Sequence, residues 1–185
     1  FNVFLPGDLR VVGPHVDYDR IRNYVTTAFK RIHKIGAKIV VFGSGKARMV
    51  PEGFSRTEAW EQLVKFLMLV ADIAERYEIT VVIEPLNKGE CNIINSVAEG
   101  LALAKDVNRP SIQVLADLYH IDEEQEPLEN VALAKEWIRH IHLADTGRFS
   151  PGTGSYPYVE FMPLAKSSAA NRLSVECTWK DFTSE

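Results

Sequence analysis

Short apolar runs alternate along the chain with charged stretches whose apolar residues recur at helical spacing. Lys38–Phe42 (KIVVF), Ile79–Glu84 (ITVVIE), Ile112–Asp117 (IQVLAD), Arg139–Ala144 (RHIHLA) and Leu173–Cys177 (LSVEC) are rich in β-branched residues and end in polar loops. Runs of this kind suit parallel strands covered by helices. Asp17 is placed to cap a helix reaching about Lys34, with Ile21, Tyr24, Val25, Ala28, Phe29 and Ile32 on its apolar face and Gly36 as its stop. Ser55 with Glu58, and Ser96 with Glu99, have capping-box spacing. After the first box, Trp60, Leu63, Val64, Leu67, Val70, Ala71 and Ala74 form one apolar stripe. Two more helices are expected, over Leu128–Trp137 and over Val159–Lys166 after Pro157. Phe1–Leu5 reads as the end of a further strand.

This is repeated βα organisation in a single unit, residues 1–185, with no linker or low-complexity tract. A doubly wound sheet and a closed barrel both fit the pattern. Gly43–Ser44–Gly45 carries neither the full GxGxxG fingerprint nor the GxxxxGK[ST] phosphate loop. The polar residues favour the barrel. Glu84, Asp117, His142 and Glu176 stand at the ends of four successive expected strands, each about one βα unit from the next. The C-terminal strand ends of a (β/α)8 barrel converge on one face, where the active site lies. An open sheet would string the same residues along a line.

Three carboxylates and an imidazole form a hard, oxygen-rich donor set suited to Mn²⁺, Mg²⁺ or Co²⁺. A sugar's adjacent carbonyl and hydroxyl could complete such a site, with the ion offsetting the charge of an enediolate. Glu84 and Glu176, on opposite faces of a ketose, would serve as an acid–base pair: one takes the C3 proton and the other returns one to the opposite face. Each residue also has a plainer reading. Acidic residues often end strands as caps, and a histidine between Ile141 and Leu143 is often a satisfied core residue. His120 is a candidate hydrogen-bond donor to substrate or an exposed loop histidine. Glu90 is a candidate for orienting a hydroxyl, and Arg148 for binding sugar oxygens or fixing its loop. Asn87 is a candidate brace for the Glu84 loop. Met49, Phe54, Tyr119 and Trp179 are candidate apolar lining, with ordinary packing the plainer reading, and Lys46 and Arg48 could meet an anion, although a charged βα loop is enough to explain them.

Composition narrows the partners. With 21 basic and 25 acidic residues the formal charge is −4, which gives no reason to expect a nucleic-acid partner. There is no run of 18 uncharged apolar residues and no signal-peptide pattern at the start, so no membrane partner is expected. Two cysteines without a CxxC motif fit a reducing cytoplasm.

The segments Ile83–Asn87 (IEPLN), Ala116–His120 (ADLYH), His140–Leu143 (HIHL) with Pro151–Gly154 (PGTG), and Ser174–Glu176 (SVE) resemble the xylose isomerase-like TIM barrels. Within that superfamily of sugar isomerases and epimerases, the likeness is to the ketose 3-epimerases acting on D-tagatose or D-psicose and to hydroxypyruvate isomerase. It implies a metal held by Glu84, Asp117, His142 and Glu176, with Mn²⁺ the first choice. It also implies Glu84 and Glu176 as the acid–base pair, substrate contacts from Glu90, His120 and Arg148, and a homodimer or homotetramer. His142, and not His140, matches the ligand. A whole barrel needs about 250 residues. The chain is therefore expected to be an incomplete barrel lacking the first one or two βα units and the final helix. The function expected is C3 epimerisation of a free ketose. Aldose–ketose or hydroxypyruvate-type isomerisation, DNA cleavage at abasic sites and a non-catalytic sugar-binding or scaffold role stay open. More metal ligands and a basic face would be needed for the DNA reading.

Overall fold

The computed structural model describes residues 1–178. Five strands, β1 (Ile39–Phe42), β2 (Thr80–Ile83), β3 (Ile112–Asp117), β4 (Ile138–Leu143) and β5 (Leu173–Val175), form one sheet in chain order. Every neighbouring pair is parallel. Helix α1 (Tyr18–Lys34) precedes β1, and α3 (Arg56–Ala74), α4 (Val97–Val107), α6 (Glu129–Ala134) and α7 (Tyr158–Ser167) supply the crossovers, with α2 (Gly45–Arg48) and α5 (Leu118–Glu123) as short helices after β1 and β3.

The helix starts follow from their caps. Asp17 accepts the Arg20 N–H, Ser55 that of Glu58 and Ser96 that of Glu99. Gly36, in the left-handed region, follows the end of α1. The expected helix over Leu128–Trp137 is shorter, Glu129–Ala134, and Trp137 closes a turn onto the Ala134 carbonyl. Phe1–Leu5 forms no strand, although the Phe1 carbonyl accepts the Val41 N–H at the outer edge of β1.

Side-chain alternation sorts the strands into two faces. Val40 and Phe42, Val81 and Ile83, and Ile112, Val114 and Ala116 join the main core beneath the helices. Val41, Val82 and Leu115 form a separate small cluster on the other face. That face is concave. β2 and β5 are three strand spacings apart, roughly 14 Å in a flat sheet, yet donor atoms at their ends lie within 4.8 Å of one another. The sheet is curled as the wall of a barrel, a five-stranded half-barrel of TIM type.

Candidate metal centre

The concave face carries the chemistry. Glu84 has the parity of Val82, Asp117 that of Leu115, and Glu176 that of Ser174. β4 needs a correction to keep step, because Ile138 faces the helices and strict alternation would turn His140 and His142 the same way. A register shift intervenes: Val114 pairs with Ile138, but Leu115 pairs with His140 and Asp117 with His142. Arg139 is the extra residue. A bulge of this kind re-aims the side chains beyond it, and here it turns both histidines inward.

One donor atom from each of Glu84, Asp117, His142 and Glu176 lies within 4.8 Å of the others. His142 Nδ1 is the hub, 2.9 Å from Glu84 Oε1, 3.1 Å from Glu176 Oε2 and 3.7 Å from Asp117 Oδ2. His142, Asp117 and Glu84 are buried, while Glu176 is partly exposed. Burial opposes a charged imidazole, but the nearby carboxylates of Asp117, Glu176 and Glu84 prevail and carry His142 up to about 11. Burial also opposes the Glu176 carboxylate. The hydrogen bond and charge of His142, with the charge of Arg148, prevail and take it down to about 2. A proton on His142 thus partly balances three carboxylates. Asp117 Oδ2 is buried with no hydrogen-bond donor, an expensive state for a polar oxygen. A divalent cation among these four donors would take the place of that proton and give the oxygen a partner, so the residues fit such an ion.

Other expected residues gather around the cluster. Arg148 reaches Glu176 Oε2 at 2.9 Å and Glu90 Oε1 at 3.2 Å, and its guanidinium lies over the Tyr119 ring. His120, far from an exposed loop position, is buried in α5 with Nε2 3.8 Å from Asp117 Oδ2. A cleft of about 290 Å³ opens over Glu84, Glu90, Arg148 and Glu176, and Gly43 and Lys46 also line it.

Several expectations need correcting. Arg48 is fully buried and cannot meet a solvent anion; its two terminal nitrogens donate to the carbonyls of Phe42 (2.8 Å) and Glu84 (2.7 Å). Lys46 alone of that pair is exposed. Asn87 needs no correction: it braces the Glu84 loop by accepting the N–H groups of Gly89, Glu90 and Cys91, and it also reaches His120 and Glu90. Phe54 packs against the core, in line with its plainer reading, Met49 lies outside the cleft, and Trp179 falls outside the described residues. Two supports were not foreseen. Gly43 has the inward parity of Val41, and a Cβ there would overlap Glu84 Oε2. The buried Asp145 carboxylate accepts the N–H groups of Thr146 (2.8 Å), Gly152 (2.8 Å) and Tyr156 (3.2 Å), organising the loop that carries Arg148.

Residues 12–184 match the model of the xylose isomerase-like TIM barrel family, and the chain belongs to that family. It is 27% identical over 142 residues to the D-psicose 3-epimerase of Ruminiclostridium cellulolyticum, covering 74% of this chain and 48% of that enzyme. In fold it is similar to the crystal structure of D-psicose 3-epimerase with D-tagatose from Clostridium cellulolyticum H10. The TM-score is 0.83 at 22% identity, over 92% of this chain and 60% of that one. It is also similar to an AP endonuclease, family 2, from Brucella melitensis, with a TM-score of 0.76 at 22% identity, over 88% of this chain and 64% of that one. The chain spans about half the length, or less, of the curated relatives it matches.

Proposed function

We propose that the protein is a divalent-metal-dependent epimerase that inverts C3 of a free ketose. The observation that carries the reading is the meeting of Glu84, Asp117, His142 and Glu176 donors within 4.8 Å on an open cleft, in a chain whose curated relatives include ketose 3-epimerases. The ion is Mn²⁺, with Mg²⁺ or Co²⁺ able to replace it, as a hard donor set prefers.

The residues divide the work. Asp117 and His142, buried, hold the ion's place. Glu84 and Glu176 come from β2 and β5 on either side of them and are the acid–base pair. One carboxylate takes the C3 proton, leaving a cis-enediolate, and the other delivers a proton to the opposite face. A bound divalent ion would supply charge stabilisation for the enediolate. Glu90, His120 and Arg148 bind the sugar: two N–H-bearing side chains face its oxygens and one carboxylate accepts from a hydroxyl.

The test is incubation of the Mn²⁺-loaded protein with D-psicose in D₂O. Epimerisation predicts deuterium at C3 and a product differing only at that centre. Exchange at C1 with an aldose product would make it an aldose–ketose isomerase instead. Glu84→Gln and Glu176→Gln each remove a proton carrier and are expected to lower kcat by roughly 10²–10⁴-fold, the worth of one general acid or base. Turnover at the wild-type rate in either variant would sink the paired-base assignment.

A further inference from the structure

Asn87 lies three residues past Glu84 in the loop after β2 and is buried. Its side-chain orientation is fixed on both sides. Oδ1 accepts the Gly89 N–H at 3.0 Å, so Nδ2 is the end that faces Glu90 Oε1 at 3.2 Å and His120 Nδ1 at 3.0 Å. The main-chain N–H of Asn87 donates to the same His120 Nδ1 at 3.1 Å. A ring nitrogen facing two N–H donors must be an acceptor. The ring hydrogen of His120 then belongs on Nε2. That nitrogen is buried, has no hydrogen-bond partner, and lies 3.8 Å from Asp117 Oδ2, one of the four metal donors.

We infer that Asn87 is a positioning residue that sets the tautomer of His120 with its main-chain and side-chain N–H groups, and the place of Glu90 with the side-chain one. Its two donors make His120 present an N–H, not a lone pair, to a sugar oxygen. The same Nδ2 holds Glu90, which in turn pairs with Arg148. The three side chains assigned to the sugar are thereby tied to one group that touches no substrate. The inference rests on the proposed ketose reading only in its claim about sugar binding; the tautomer follows from the hydrogen bonds alone.

A purely structural role for Asn87 makes a different prediction. Its carbonyl accepts the N–H groups of Glu90 and Cys91, and Oδ1 closes the turn at Gly89. Aspartate would keep all of these contacts and lose only the Nδ2 donor. Asn87→Asp therefore separates the two roles. It sets a carboxylate oxygen against His120 Nδ1 and against Glu90.

The experiment is ¹H–¹⁵N correlation of the histidine ring nitrogens in the ¹⁵N-labelled protein, with His120 identified by the signals lost in His120→Gln. The wild type and Asn87→Ala, which keeps the main-chain donor, are expected to carry the ring hydrogen on Nε2. Asn87→Asp is expected to protonate Nδ1. With D-psicose as probe, KM is expected to rise roughly three- to tenfold in Asn87→Ala, about the worth of one hydrogen bond, and further in Asn87→Asp. A wild-type ring protonated on Nδ1, or an Asn87→Asp spectrum and KM like the wild type's, overturns the inference. So does a changed tautomer with unchanged KM and kcat. The expected tautomers in a protein that neither binds Mn²⁺ nor turns over D-psicose would support the role of Asn87 in fixing His120 while removing the epimerase reading.

Discussion

The proton on His142 Nδ1 is hydrogen-bonded to Glu84 Oε1 with Glu176 and Asp117 close by, and it has consequences for pH. His142 in the folded, metal-free protein sits at about 11 against an ordinary 6.5. A raised pKa means that the folded state gains stability from the proton fully below 6.5 and loses it as pH climbs through 11. Glu176, lowered from 4.5 to about 2, contributes stability above 4.5 that is lost as pH falls through 2. Thermal stability of the metal-free protein should therefore be greatest between these ordinary values. A metal ion must displace the His142 proton, so binding near pH 7 should release about one proton and tighten with rising pH, up to roughly tenfold per unit. Calorimetry of Mn²⁺ binding in two buffers of different ionisation enthalpy measures this directly. Buffer-independent heats would show that no proton leaves. His142→Ala should abolish the tight Mn²⁺ stoichiometry. Gly43 is a subtler control on the same site. Its φ lies outside the left-handed region, where alanine would be strained, and the three nearest atoms a Cβ would meet all belong to Glu84. Gly43→Ala should keep the fold while pushing the Glu84 carboxylate aside, weakening Mn²⁺ by roughly 10- to 100-fold, as loss of a ligand's support does. Wild-type affinity in a folded Gly43→Ala protein would show that Glu84 does not need that space.

Among the elements, the loop after β4 is the one built around a single side chain. Asp145 gathers N–H groups from across Thr146–Tyr156, and Gly154 packs so closely on Asp145 and Thr146 that a Cβ would not fit. Burial alone would raise the Asp145 pKa, but these main-chain hydrogen bonds outweigh it and hold it below 3.8. Asp145→Ala leaves buried N–H groups without an acceptor. It should cost roughly 2–4 kcal/mol and lower Tm by roughly 5–15 °C, since each kcal/mol is worth about 2–4 °C at this size. Differential scanning calorimetry decides it; a shift under 2 °C would mean the loop stands without its centre. Arg148 sits on this loop in the left-handed region at φ 63°, so sugar binding should weaken with the fold's stability. The sequence reveals this element only in outline. Strand parity and capping serines are local chemistry, and they placed β1–β5 within about two residues and four donors on one face. Asp145, Arg48 and Asn87 act on main-chain groups or on residues dozens of positions away, and such partners leave no pattern in the chain. Arg48 reads as a solvated loop charge because nothing nearby tells of the two carbonyls it caps. α5 was missed because it starts on the residue after β3, with no glycine or proline to mark a boundary. The extra residue in β4 is equally silent, though without it His142 would face the helices.

At the scale of the whole molecule, the half-barrel buries one sheet face unevenly. Outward-facing Val40, Val81, Val114 and Ile141 are covered by helices, whereas Leu173 and Val175 on β5 are 49% and 54% exposed. Among the described residues nothing pairs with the outer edge of β5. Val159, on α7 ahead of that strand, is also exposed. A parallel edge strand with bare N–H and C=O groups and apolar side chains is a template for another strand, and larger apolar patches mark association surfaces. This chain matches 60% of the solved relative with D-tagatose, and in a closed barrel such an edge is paired. The 185-residue chain on its own should therefore self-associate through β5, its weight-average mass rising with concentration above 20.8 kDa. Leu173→Lys puts on that edge the charge that natural edge strands use against pairing. Because Leu173 faces away from the donor cluster, the variant should shift the protein toward monomer and leave Mn²⁺ binding unchanged. Sedimentation velocity over a hundredfold concentration range tests both. A wild-type chain that stays monomeric throughout would mean the edge is already covered. Association that Leu173→Lys leaves untouched would move the interface elsewhere, with the cleft that holds the metal donors the next surface to probe.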